Sequence, residues 1–176
     1  KVKVQDATDT GFQPRGKQCL INTGIWYTPV SGIWQTVWLE PVAPAYVENY
    51  YVVSNVDDAT MTFDVAAKTA DGDVVKVAVL EGGEGYCAES PSQTVIAEAV
   101  AVDGKAVVSV PDMKTWSPDC PYLYGVRVSI ERGGKVVDCV EGYTAMRKIS
   151  VVKDNSLNHY KRLALNNEAL FQFGPL

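Results

Sequence analysis

Apolar and polar residues alternate with a period of two along most of the chain. From Tyr122 to Ile130, the residues Tyr122, Tyr124, Val126, Val128 and Ile130 fall on one face, with Gly125, Arg127 and Ser129 on the other. That pattern predicts a half-buried strand. Met61, Phe63 and Val65 alternate with Thr62 and Asp64. Val75, Val77 and Val79 share a face opposite Lys76, and Ala106, Val108 and Val110 repeat the period. Val137 and Cys139 alternate with Asp138, and Ile149, Val151 and Val152 extend the last strand. Turn signals separate the runs: Asp57-Asp58, Asp71-Gly72-Asp73, Glu81-Gly82-Gly83, Asp103-Gly104 and Gly133-Gly134. Asp-Gly and Gly-Gly supply positive φ at low cost, which tight hairpin turns require.

Residues 45–152 therefore read as roughly seven short strands, the size of an immunoglobulin-like β-sandwich. The expected fold class is all-β. A Cys…Trp…Cys framework of the antibody type is not expected, because Trp116 lies between Cys87 and Cys139 only in sequence. The two ends differ from this middle. Residues 1–44 carry Pro14, Pro29, Pro41 and Pro44 with the aromatic cluster Trp26, Tyr27, Trp34 and Trp38. Their strand-like runs, such as Thr36–Glu40, are too few to close a sandwich. Residues 153–176 begin polar and then read as a hairpin: Leu163–Leu165, the turn Asn166-Asn167, and Ala169–Phe173. Both ends look like pieces of neighbouring domains, with Phe171 and Phe173 needing a partner surface. No helix of useful length and no internal repeat is expected.

Composition narrows the function classes. The 176 residues carry a net charge of −5, and no basic stripe exists for a polyanion, which excludes nucleic acid as a partner. No apolar run approaches the ~20 residues of a membrane helix. The opening KVKVQDATDT has no apolar core or cleavage pattern of a signal peptide, and the missing initiator Met suggests that the chain begins inside a longer protein. Cys19, Cys87, Cys120 and Cys139 form no CxxC pair, and His159 is the single histidine. A Cys/His metal site is therefore not expected. Four separate thiols acting as small apolar residues are favoured over two disulfides. Asp57-Asp58 and Asp71/Asp73 read as turn formers and not as calcium ligands, since calcium takes six to eight oxygens. His159 reads as a solvated linker residue. No metal and no cofactor are expected.

Three segments carry a resemblance. The first is Ser31-Gly32-Ile33-Trp34-Gln35-Thr36-Val37-Trp38-Leu39-Glu40-Pro41, the second Trp116-Ser117-Pro118-Asp119-Cys120-Pro121-Tyr122-Leu123-Tyr124. The third is Asp138 followed by Gly142-Tyr143-Thr144-Ala145-Met146-Arg147-Lys148-Ile149. In this order they resemble glycoside hydrolases of family 2, the β-galactosidase/β-glucuronidase group. The resemblance implies that residues 1–44 end a sugar-binding jelly roll. It makes 45–152 an immunoglobulin-like domain, and 153–176 a linker plus the first hairpin of a catalytic TIM barrel. Where the family has an Asn-Gly turn this chain has Asn166-Asn167, and Asn tolerates the left-handed region.

The resemblance also sets the expected function. The chain would be a non-catalytic structural and linker domain of a retaining exo-glycosidase, with a β-galactosidase as parent. Its partners would be the jelly roll and TIM barrel of the parent chain, with carbohydrate as the parent's substrate. A retaining glycosidase needs two carboxylates about 5–5.5 Å apart. In the family both stand on the barrel, so no catalytic residue is expected here. Asn167-Glu168 mimics the family's acid/base pair but is followed by Ala169 where the family has Pro, and a lone dipeptide is weak evidence. Periplasm or cell exterior is preferred over cytoplasm. The competing reading is a stand-alone carbohydrate-binding or cell-surface adhesion module of immunoglobulin-like fold.

Seven residues are singled out. Arg15 and Lys17, in a loop that jelly rolls can send toward a barrel mouth, and Trp26 are candidates for substrate contact. Trp34, Trp38, Trp116 and Arg147 are candidates for structural roles at domain junctions. Burial is favoured over sugar stacking for the aromatic cluster, because large aromatics are usually highly buried. Pro118 and Pro121 fix φ and lead rigidly into the strand at Tyr122, with Trp116 capping the sandwich end. The five donors of Arg147 suit a carboxylate or backbone carbonyls at a junction.

Overall fold

The computed structural model describes residues 2–84, 94–153, 160–172 and 174. Cys87, His159 and Phe173 fall outside the described residues. The chain divides into two compact units, Lys1–Pro41 and Val42–Leu176.

Among the described residues the second unit carries ten strands: β1 (Tyr46–Asn55), β2 (Thr60–Lys68), β3 (Asp73–Glu84), β4 (Val95–Val100), β5 (Lys105–Ser109), β6 (Tyr122–Arg132), β7 (Lys135–Thr144), β8 (Ile149–Lys153), β9 (Lys161–Leu165) and β10 (Glu168–Ala169). Seven of them make an immunoglobulin-like sandwich from a β1-β2-β5 sheet and a β4-β3-β6-β7 sheet. The fourth strand lies beside β3 and not beside β5, unlike constant antibody domains. All ladders are antiparallel. Much of the core is made of alternating residues read from the sequence, joined by Val47, Leu80 and Met146, which were not. Met61, Phe63, Val77, Val79, Val126, Val128 and Ile130 are fully buried, with Val65, Ala106, Val108, Tyr122 and Tyr124 nearly so. The hairpin turns form as expected: Asp103-Gly104 at φ 50° and 76°, Gly133-Gly134 at 55° and 76°.

Three strand readings change in the structure. Glu81-Gly82-Gly83 is no turn but the late part of β3, where the register against β6 slips between Leu80 and Gly83. A bulge needs an approach that only glycine allows: a Cβ on Gly82 would lie 1.6 Å from the Leu123 carbonyl oxygen. In β7 the register slips between Ile130 and Glu131, which breaks the alternation read at Val137–Cys139. Asp138 then sits opposite the inward-facing Ile130 and Cys139 opposite Ser129. Cys139 is exposed beside Glu141 and Arg127, and partial burial raises its thiol pKa. Asp138 reaches the other sheet and accepts the Val47 amide at 2.8 Å. At Gly142 the Tyr50 hydroxyl occupies the place of a Cβ, 2.1 Å from where one would stand.

The third change concerns Ile149–Val152. These residues do not extend β7. β8 starts a separate antiparallel sheet of order β10-β9-β8, with Ile149 opposite Leu165 and Val151 opposite Leu163. The hairpin read at 163–173 is present, but its second strand is only Glu168–Ala169.

The first unit is held by turns and side-chain capping. Gln18 and Tyr27 form a parallel bridge, with the Tyr27 amide on the Lys17 carbonyl at 2.8 Å and the Cys19 amide on the Tyr27 carbonyl at 3.1 Å. Thr36–Glu40 is not a strand. A strand needs neighbours for its amides, and none pairs with this segment among the described residues.

Candidate functional site: the groove at Trp116 and Arg147

Between β7 and β8 the chain crosses the end of the sandwich as Ala145–Lys148. Its path is fixed by Met146, which is fully buried in the core. The Met146 carbonyl accepts the Trp116 amide at 2.9 Å, and the Ser54 hydroxyl donates to the Arg147 carbonyl at 2.9 Å. With Met146 inward, Arg147 turns outward. Its guanidinium lies 5.5 Å from the centre of the half-buried Trp116 ring, within cation–π range. Together with Tyr51, Ser54, Leu123 and Tyr143 these residues line a groove of about 550 Å³. Tyr51 and Tyr143 are 69% and 59% exposed, so their rings are open walls. Trp116 is thus no core anchor, whereas Tyr122 is 8% exposed and belongs to the core.

One side of the groove adjoins a polar clamp that sequence reading missed. Asn166 and Asn167 adopt φ 51° and 71°, the conformation of a type I′ hairpin turn. The Asn166 side chain donates to the Trp116 carbonyl at 3.0 Å and accepts the Lys148 amide at 3.0 Å. Its own amide donates to the Lys148 carbonyl at 2.8 Å. Asn167 donates to the Asp57 carboxylate at 2.8 Å, and Lys148 forms an ion pair with the same carboxylate. Asn167, in place of a glycine, therefore adds a contact that glycine could not make. The one sequence signal was the Asn-Asn turn itself.

Lys148 first and Asn167 second hold the Asp57 carboxyl below its ordinary 3.8. A depressed carboxylate contributes stability above the unfolded pKa and loses it as pH falls through the folded value. The Asn167 side-chain amide resonances are expected to shift with a midpoint below pH 3.8. A midpoint at or above that value in an NMR titration refutes the clamp.

Asp58 and Asp73 are also engaged. Asn55 accepts the Asp57 and Asp58 amides and donates to Asp58 at 2.7 Å. Asp73 accepts from Arg132 Nε and Nη2, at 2.6 and 2.9 Å, and from the Ala70 amide. Among the described residues no group of three or more His, Cys, Asp or Glu is set to hold a metal.

The sequence candidates of the first unit separate. Arg15 donates to the Asp9 carbonyl and shares a hollow of about 200 Å³ with Trp34. Lys17 and Trp26 do not line it. Trp26, Trp34 and Trp38 are 41%, 74% and 73% exposed. Glu168 shares a cleft of about 670 Å³ with Asp119 and Phe171. Both carboxylates are exposed, whereas a glycosidase acid requires a carboxyl raised by burial or a like charge. The described residues offer recognition surfaces and no desolvated acid pair.

The model of the family described as glycosyl hydrolases family 2 matches residues 45–147. The chain belongs to this family. The match begins just before β1 and ends on Arg147, so it covers the whole sandwich and the crossing that builds the groove. No curated protein matches the chain. Among solved structures it is similar to the β-glucuronidase of Ruminococcus gnavus, at 19% identity and TM-score 0.54, over 72% of this chain and 19% of that one. The same enzyme in complex with D-glucuronic acid aligns at 19% identity and TM-score 0.55, over 74% of this chain and 20% of that one. The family 2 chain thus spans about a fifth of the length of these enzymes.

Proposed function

We propose that this chain is the non-catalytic, structural part of a retaining exo-glycosidase, and that its immunoglobulin-like domain holds a catalytic barrel carried elsewhere in the parent protein. The observation that carries this reading is the family 2 match over the entire sandwich. Trp34, Trp38, Trp116 and Arg147 serve as junction residues. The first unit belongs to a jelly roll, and the β9–β10 hairpin leads toward the barrel. The exposure of Trp34 and Trp38 supports a missing partner surface. The sequence motifs point to a β-galactosidase-like parent. The similar solved structures are β-glucuronidases, so both sugars belong in the assay.

The isolated chain is expected to hydrolyse neither chromogenic galactosides nor glucuronides at high protein concentration. Activity in this chain that Glu168→Gln abolishes would overturn the proposal. The parent protein should cleave one of the two substrates, and its failure on both would leave the binding-module reading in its place.

A further inference from the structure

We infer that the groove at Trp116 and Arg147 is the seat of a carboxylate-bearing loop from the catalytic part of the parent enzyme, with Arg147 as its ion-pair partner; this rests on the structural reading above. Charge complementarity carries the inference. Five cations around this sandwich are matched: Arg127 with Glu141, Arg132 with Asp73, Lys76 with Glu131, Lys105 with Asp64 and Lys148 with Asp57. Among the described residues that line the groove, Arg147 alone is charged. Arg147 has no carboxylate among the described residues. Its guanidinium lies over the Trp116 ring instead, 5.5 Å from the ring centre, and both side chains line the groove. The planar guanidinium fork favours two parallel hydrogen bonds to a carboxylate.

The groove's shape and setting agree with a protein loop. Its ~550 Å³ is room for an acidic side chain and one apolar neighbour against Tyr51, Leu123 and Tyr143. It adjoins the Asn166 clamp, so the hairpin that leads onward is fixed at the groove's edge. About four fifths of a similar enzyme lies outside the aligned part, which supplies the occupant. An acidic sugar presents the same carboxylate chemistry, and the experiment separates the two.

Arg147→Ala and Arg147→Lys are made in the full-length parent and in this 176-residue chain. Backbone hydrogen exchange is followed at 145–148. In the parent, Arg147→Ala should lower protection at least about tenfold, because the partner carboxylate is left buried and unpaired. Lys should restore only part of it, since it lacks the fork. In the isolated chain both variants should stay within about twofold of the original. Equal loss in the two proteins would show that Arg147 acts within this chain, and no loss in either would show an empty groove. Both results overturn the inference. So would glucuronate or galacturonate oligomers that shift the Trp116 indole resonance of the isolated chain, because the groove would then be a sugar-acid site. A parent without glycosidase activity would sink the functional proposal separately, while the exchange contrast would still report on the groove.

Discussion

Replacing Gly82 with Ala is expected to lower stability by about 3 kcal/mol or more, enough to unfold a marginal domain. The added Cβ would stand 1.6 Å from the Leu123 carbonyl oxygen, 2.6 Å from its carbon and 2.9 Å from the Tyr124 Cα. All three are backbone atoms of the central strand β6, so no side chain can swing aside. Relief requires β3 and β6 to separate at the bulge, which also breaks the hydrogen bond from the Gly82 amide to the Tyr122 hydroxyl at 3.2 Å. Gly83→Ala is the control. Nothing lies within 4 Å of a Cβ there and its φ is not positive, so its cost should stay within about 1 kcal/mol. Urea midpoints at unchanged slope measure both. Equal midpoints for the two variants would show that the β3 bulge yields.

Tyr122→Ala is expected to cost about 3–5 kcal/mol, the usual penalty for truncating a buried aromatic. Its ring is 8% exposed and meets Tyr124 edge-on at 4.9 Å. The Lys114 ammonium lies 4.8 Å from the ring centre, and the hydroxyl receives the Gly82 amide. Trp116→Ala should cost only about 1–2 kcal/mol, since half of the ring faces the groove. The two residues follow one another across Pro118 and Pro121 and look alike in sequence, yet one is core and the other a wall. If Trp116→Ala proved as costly as Tyr122→Ala, the groove would be part of the core and not a recognition surface. If it left the midpoint unchanged and abolished binding of galactose oligomers in calorimetry, the binding-module reading would return.

The sequence by itself determined the sandwich. Met61, Phe63 and Val65 with Val77, Val79, Val126, Val128 and Ile130 are core in the structure because strand geometry turns alternate residues to one side. Asp103-Gly104 and Gly133-Gly134 are turns because the positive φ they require is a local property. The motifs at Trp116 and at Asp138–Ile149 pointed to the family on the same footing. What the sequence could not show is anything set by the partner strand. The bulges at Gly82 and near Val137 depend on register against β6. One turned an expected turn into strand, and the other sent Cys139 outward and Asp138 across to Val47. The exit of Ile149–Val152 from the sandwich depends on β9, a dozen residues later in the chain. Arg147 and Trp116 were legible as single residues, but their stacking, and the clamp joining Asp57, Lys148, Asn166 and Asn167, join positions up to 110 residues apart. Such contacts are decided by tertiary structure alone, because the chain carries no local signal for which distant side chain will meet it.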